Sequence, residues 1–465
     1  MARKSTSGSK SRKRKPAPSV HPEEFRDEIR TLQHWRSRLQ GPRTIECREI
    51  KLWGRDAEGA IISGPGRIQV ISETDIRFWV YGTAENDGHA FAKITEAQRN
   101  PYDHMAQFRV FATDYEGLEW TGGYTQVRFF ADTTHAWPLT GELDALTVVA
   151  IGHWVAKESS VELLLIPPIE LPLGEWSETV TRLKNEVVSY SRRPGCQVVK
   201  ALGTKILFEM DTAGDALWIT AKTSEKFTHP QAENWLTEPL RILFGALIYP
   251  RLMARNFGDG RSFVTLRPAP AVKRPSPMGL LPPFPLPPND RDQFWKLYAA
   301  ILTMIVKSPE SERPFLQGHQ VTRLYQELAQ AERGSRWVIL LTLASTAEAL
   351  AKSIMRASDR KSEFPKKVLD SMQAHIEAWQ TDSGLRDRML SNLANVRSRS
   401  VLAFMRKLAE RSVVDLAHVA TWRRLRNSVM HGELVEPWST EEGDQHLQEM
   451  IELVHSLTRA RIAKR

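Results

Sequence analysis

The stretch RPAPAVKRPSPMGLLPPFPLPP, Arg267 to Pro288, separates two regions of different character. Nine of the 21 residues from Pro268 to Pro288 are proline. Proline fixes its own φ and carries no amide hydrogen, so neither a helix nor a sheet ladder can run through such a segment. Residues 268–288 therefore read as a semi-rigid connector. Docking into an aromatic-lined groove of a partner is the secondary use of such a sequence.

Beyond the connector, residues 289–465 carry helical periodicity almost throughout. Helices are expected at Asp290–Lys307, Gln320–Ala331, Ser335–Arg356, Phe364–Trp379, Leu385–Val396, Val401–Glu410, Asp415–Met430 and Thr440–Arg461. The last opens on a Ser439-x-x-Glu442 capping box and carries Leu447, Met450, Ile451, Leu453, Val454 and Leu457 as an apolar ladder. A helical bundle is the natural packing for such elements.

Before the connector, residues 21–267 read as β-rich, with two candidate subdomains at 43–170 and 171–267. Short runs such as Thr44–Trp53, Ile76–Tyr81, Gln107–Thr113 and Ser160–Ile166 alternate with turn-forming residues, which predicts an antiparallel sandwich or barrel-like region. KILFEMD and ALWITAK, within Gln197–Thr223, supply further strands. Amphipathic helices are expected from Pro22 to Leu39 and from about Pro230 to Asn256. The fold class is thus multidomain α+β, a β-rich region followed by an all-α bundle.

Composition limits the function classes. The 465 residues include only Cys47 and Cys196, so neither a disulfide framework nor a four-cysteine zinc site is available. No cofactor or metal is expected. The longest apolar runs, such as Trp337–Leu343, are too short to span a bilayer and no signal peptide opens the chain, so a cytoplasmic protein with no membrane role is expected. The net charge of +9 owes seven basic side chains to the first 16 residues, leaving about +2 for the rest. Residues 1–20 read as a disordered basic tail, serving either to keep the chain in solution or to attract nucleic acid phosphates non-specifically.

Chemistry concentrates in TWRRLRNSVMHG, Thr421–Gly432. Arg426, Asn427 and His431 supply a permanent cation, an amide and an imidazole that titrates near neutrality. Those groups suit binding a phosphodiester and moving its protons. Asn427 and His431 share a helix face, while Arg426 and His431 lie about 140° apart. One copy therefore makes no pocket, but two copies across a twofold axis would converge. Gly432 is a candidate C-terminal cap, which places His431 at the negative end of the helix dipole. Spacing alone is weak evidence, because Arg99-Asn100-Pro-Tyr-Asp-His104 repeats the pattern. Pro101 and its β-rich flanks assign that copy to a loop. Helical context separates the two.

The region from about 290 to 465 resembles HEPN domains, and looks most like those of ApeA-type anti-phage proteins. The likeness rests on LRNSVMHG (Leu425–Gly432), on WVILLTLASTAEALAK (Trp337–Lys352) with Glu348 in its middle, and on the long last helix. The segment Leu240–Pro268 is also similar in character to that family. The resemblance implies a homodimer with a composite, metal-independent ribonuclease site, in which Arg426 and His431 are catalytic and Asn427 is their polar neighbour. It implies RNA as substrate, a role in abortive infection, and an N-terminal region that senses a phage-derived trigger. Glu348 takes no role in this reading. The alternative is a non-catalytic HEPN-like module that binds nucleic acid or a protein partner.

Overall fold

The computed structural model describes residues 30–55, 58–131, 136–174, 177–183, 186–193, 195–269, 276–281, 291–312, 318–380, 382–430, 436 and 438–464. The basic tail, residues 22–29 of the first predicted helix, His431 and Gly432 lie outside the described residues. So does most of the proline-rich connector.

The β-rich region is antiparallel in every described pairing, as its alternating patterns require. Its strands are β1 (Arg43–Gly54), β2 (Ala60–Val70), β3 (Ile76–Gly82), β4 (Phe108–Asp114), β5 (Glu119–Thr125), β6 (Arg128–Phe129), β7 (Trp137–Glu142), β8 (Leu146–Ile151) and β9 (Ser159–Leu165). After a separate hairpin, β10 (Ser177–Leu183) with β11 (Glu186–Arg193), come β12 (Cys196–Ala201), β13 (Thr204–Met210), β14 (Leu217–Lys222), β15 (Leu252–Phe257) and β16 (Arg261–Leu266). Fourteen of them form one sheet in the order β12-β13-β14-β9-β15-β16-β8-β5-β4-β1-β2-β3-β7-β6. A single ladder thus joins the stretches before and after residue 170.

Three expectations are corrected. The helix expected to reach Asn256 is two short helices, α3 (Ala232–Trp235) and α4 (Glu238–Phe244), and residues 252–257 are strand β15. Gly245, at φ +58°, ends α4 in the left-handed region. A side chain there would lie 2.8 Å from the Met278 carbonyl carbon, so the position takes glycine for two reasons. Helix α2 (Asp87–Arg99) escaped the sequence reading because its start, NDGHA, has turn composition. Asn86 caps it by accepting from the His89 amide at 3.0 Å, and its buried face is mostly small: Ala90, Ile94 and Ala97. The repeated Arg-Asn pattern accordingly begins at the end of a helix, with Arg99 its last residue and His104 in a following 3₁₀ turn.

The central strands separate two apolar cores. On β9, Val161, Leu163 and Leu165 enter one core and Leu164 the other. On β14, Leu217, Ile219 and Ala221 share the first and Trp218 the second. Burial on both faces explains why Leu163, Leu164 and Leu165 follow one another without alternation. Helix α1 (Thr31–Leu39) covers the second face with Leu32, Trp35 and Leu39. Its N-terminus has no side-chain cap of its own. Glu162 of β9 supplies one, accepting from the amides of Thr31 and Leu32 at 3.0 Å each, and from Asn256 at 2.8 Å. Burial pushes the Glu162 carboxyl up, and those three donors oppose the shift.

All eight predicted C-terminal helices are present: α5 (Arg291–Lys307), α6 (Gln320–Ala331), α7 (Arg336–Ile354), α8 (Lys366–Ala378), α9 (Ser383–Val396), α10 (Val401–Glu410), α11 (Leu416–Met430) and α12 (Glu441–Ala463). The cap of α12 is Thr440, which accepts from the Gly443 amide at 3.1 Å, rather than Ser439. The apolar core does not stop at the connector. Phe208 of β13 packs on Trp295 and Tyr298 of α5, with ring centres 4.7 and 5.1 Å apart. Residues 276–281 of the connector are fastened to α4 by the Ser276 and Leu280 amides, which donate to the carbonyls of Phe244 and Ile242. Helix α7 is long and apolar enough to cross a membrane by length and composition. Here it is the bundle's central helix, in contact with α6, α10, α11 and α12.

Candidate active site

Helix α11 is positioned by its apolar face. Val419, Trp422 and Leu425 are buried, and the Trp422 indole donates to the Ala344 carbonyl of α7 at 3.0 Å. Arg426 lies one turn beyond Trp422, on the border between core and solvent. Its guanidinium carbon sits 5.9 Å from the Trp422 ring centre, within cation–π range. Its Nε donates to Glu348 Oε2 of α7 at 2.9 Å. Lys352, one turn along α7, holds the other carboxylate oxygen at 2.7 Å. Burial pushes the Glu348 carboxyl up, but the bonds from Lys352 and Arg426 outweigh it and hold the group below its ordinary value. Glu348 is therefore a carboxylate at neutral pH.

Holding Arg426 through Nε directs the rest of its fork elsewhere. Among the described residues no acceptor meets its two terminal nitrogens, and Arg426 is one of the residues that line a cleft of about 600 Å³. One face of α7 forms the floor, from Leu341 to Lys352. Arg360, Lys464, Gln320 and Glu312 complete the wall. Asn427 is exposed and does not line this cleft, consistent with its placement about 100° round the helix from Arg426. His431 lies outside the described residues. Among the described residues Arg426 thus meets Glu348 and the Trp422 ring, and Lys352 reaches it only through the shared Glu348 carboxylate. No family model, curated protein or solved structure matches the chain.

The signal for Glu348 and Lys352 was present in the sequence. A carboxylate and an ammonium four residues apart interrupt an otherwise apolar helix, and that spacing places them on one face. What no spacing revealed was that this face meets Arg426, 78 residues later. Lys464 and Arg360 carried no local signal. His319, next in the chain to the cleft residue Gln320, is fully buried: its Nδ1 accepts from the Val321 amide at 3.1 Å and its Nε2 lies 3.0 Å from Ser308 Oγ. Burial, reinforced by Arg461, pulls its pKa down to about 4, so it is neutral at pH 7. Among the described residues no group of three or more His, Cys, Asp or Glu side chains is placed to hold a metal ion.

Proposed function

We propose that the chain is a cytoplasmic, metal-independent endoribonuclease of HEPN type, acting in anti-phage defence and regulated by its β-rich N-terminal region. The observation that carries this reading is the Arg426 guanidinium, tied through Nε to Glu348 in the lining of a cationic cleft, with its two terminal nitrogens unmet by any described acceptor. A guanidinium so held presents a fork matched to phosphate oxygens and pays little reorganisation when charge builds on them. In the reaction the ribose 2′ hydroxyl attacks phosphorus and loses its proton to a base. The P–O5′ bond breaks and the leaving oxygen gains a proton. The products are a 2′,3′-cyclic phosphate and a 5′ hydroxyl. His431 is assigned the proton transfers, Arg426 the charge on phosphorus, and Asn427 the orientation of phosphate or imidazole.

A second copy completes the site in this reading. Helices α8 and α9 form a hairpin whose small seam is Leu369, Ile376 and Leu393. Val368, Met372 and Trp379 lie about 60–100° to one side of that seam, and Leu385, Met389 and Val396 lie about 40–80° to the same side. In an antiparallel pair both stripes therefore share one face, and these six side chains are 39–53% exposed. Two such hairpins, face to face, make a four-helix bundle about a twofold axis. The hairpin base adjoins the cleft, because the Arg399 amide donates to the carbonyl of Arg360, a cleft residue.

The test is cleavage of RNA by the full chain, with Arg426→Ala and His431→Ala compared in excess chelator. Both variants should lose cleavage while remaining folded. Full cleavage by either would overturn the assignment. The cationic cleft also favours a second reading, a non-catalytic RNA-binding protein. That reading expects binding that survives His431→Ala, with no cleavage by the wild type.

A further inference from the structure

The cleft beside Arg426 contains more positive charge than its carboxylates neutralise. Lys352, Arg360, Arg426 and Lys464 line it, against Glu312 and Glu348. Both carboxylates are already engaged. Glu348 takes Arg426 and Lys352, while Glu312 takes Arg461, with His319 Nε2 3.6 Å away. Among the described residues no carboxylate pairs with Arg360 or Lys464. Lys464, just past the end of α12, is pinned instead by donating to the Ser353 carbonyl at 2.9 Å, a neutral partner. Burial pulls the Lys464 pKa down, and Arg461, Arg356 and Arg360 add to that shift against Glu312. A bound anion would relieve this repulsion.

We propose that Arg360 and Lys464 form a phosphate subsite that grips the RNA backbone alongside the phosphate held by Arg426. The inference rests on the ribonuclease reading of Arg426 and names residues that the Arg-Asn-x3-His pattern does not contain. Three features fit a nucleic acid backbone. The cleft's volume, about 600 Å³, suits a nucleotide-sized group. Its cations come from α7, the segment after it, α11 and the end of α12, so they are contributed around the lining by separate parts of the chain. Leu341, Ala344, Ala349 and Met355 give the cleft an apolar flank, with Gln320, Ser345 and Ser353 as its neutral polar side chains, few groups with which to read a base. Such a site holds phosphate and sugar and discriminates little between sequences.

The experiment uses the full chain and a single-stranded RNA carrying 2′-O-methyl groups throughout, which lacks the attacking hydroxyl and cannot be cut. Binding is followed by fluorescence anisotropy at several salt concentrations. Arg360→Gln and Lys464→Gln should each weaken binding about five- to ten-fold and reduce the slope of log K against log salt by about 0.7. Lys464→Arg should restore both, which separates lost charge from lost folding. Unchanged affinity and slope in both glutamine variants would overturn the subsite. ADP serves as the second probe. If it binds as tightly as the RNA and loses affinity in the same variants, the cleft takes a free nucleotide and the strand assignment is wrong. Failure of the underlying reading appears separately, as wild-type protein that leaves unmodified RNA intact.

Discussion

Replacing Glu348 by glutamine keeps the side chain's size and removes the charge that holds Arg426. The wild-type carboxylate accepts from Arg426 Nε at 2.9 Å and from Lys352 at 2.7 Å. With Arg426 40% and Glu348 22% exposed as side chains, solvent screens the pair, and its loss should cost no more than about 1 kcal/mol of stability. The corresponding fall in thermal midpoint is roughly 2–4 °C for a unit of this size. Orientation is a different matter. A guanidinium free to swing by an ångström loses the preorganised fork, and such misplacement costs on the order of 10²-fold in rate. Glu348→Gln should therefore reduce kcat for RNA cleavage about 10- to 100-fold with a smaller change in KM, since transition-state charge is what Arg426 meets. Glu348→Asp, which keeps the charge on a shorter arm, should recover part of the loss. Single-turnover cleavage and a thermal melt, run side by side, read both quantities. Wild-type kcat in Glu348→Gln would refute the positioning argument, and a drop in midpoint beyond about 10 °C would show that Glu348 acts mainly by supporting the fold.

Other expectations follow from the same structure. Glu162→Ala leaves the Thr31 and Leu32 amides and the Asn256 amide without their acceptor, which should cost about 3 kcal/mol or more in chemical denaturation, whereas Glu162→Gln, retaining one acceptor oxygen, should cost about half that; equal losses would contradict the capping role. His319, with its pKa pulled down to about 4, is neutral in the folded state. The unfolded chain takes up its proton near pH 6.5, so this group's stability contribution is fully present above that pH and falls as pH drops towards 4, by about 3 kcal/mol in all. His319→Gln should flatten that part of the stability profile, and an unchanged profile would locate the dependence elsewhere. Met372→Glu and Trp379→Glu place charge on the hairpin's apolar face, and sedimentation should then show monomer and reduced cleavage; a dimer that survives both would remove this face from the interface.

The sequence by itself determined the helical half in detail, because eight amphipathic segments with their own start and stop signals declare themselves through contacts three and four residues apart. Helix α6 matches its predicted span, Gln320–Ala331, for that reason. It determined the antiparallel character of the first half as well, since alternation survives wherever one face of a strand is wet. Local reading failed where burial erased the pattern. Strand β15 lies in a sheet covered on both sides, so Leu252, Met253 and Ala254 show no alternation that marks a strand until its partners β9 and β16 are in place, although Pro250 already argues against a helix that continues to Asn256. Helix α2 failed in the opposite sense, with too few large apolar residues to declare a face.

At the candidate site, the sequence marked Arg426 and Asn427, and helix geometry alone placed them on different sides of α11. Tertiary structure decided the rest. A carboxylate on α7 meets Arg426, and cations from the segment after α7 and from the end of α12 gather round the same cleft. Charge in one segment has no preferred partner until packing removes the competing water and fixes the distance between helices. The chemistry of single residues is therefore legible along the chain, while the field they make together depends on how α7, α11 and α12 pack.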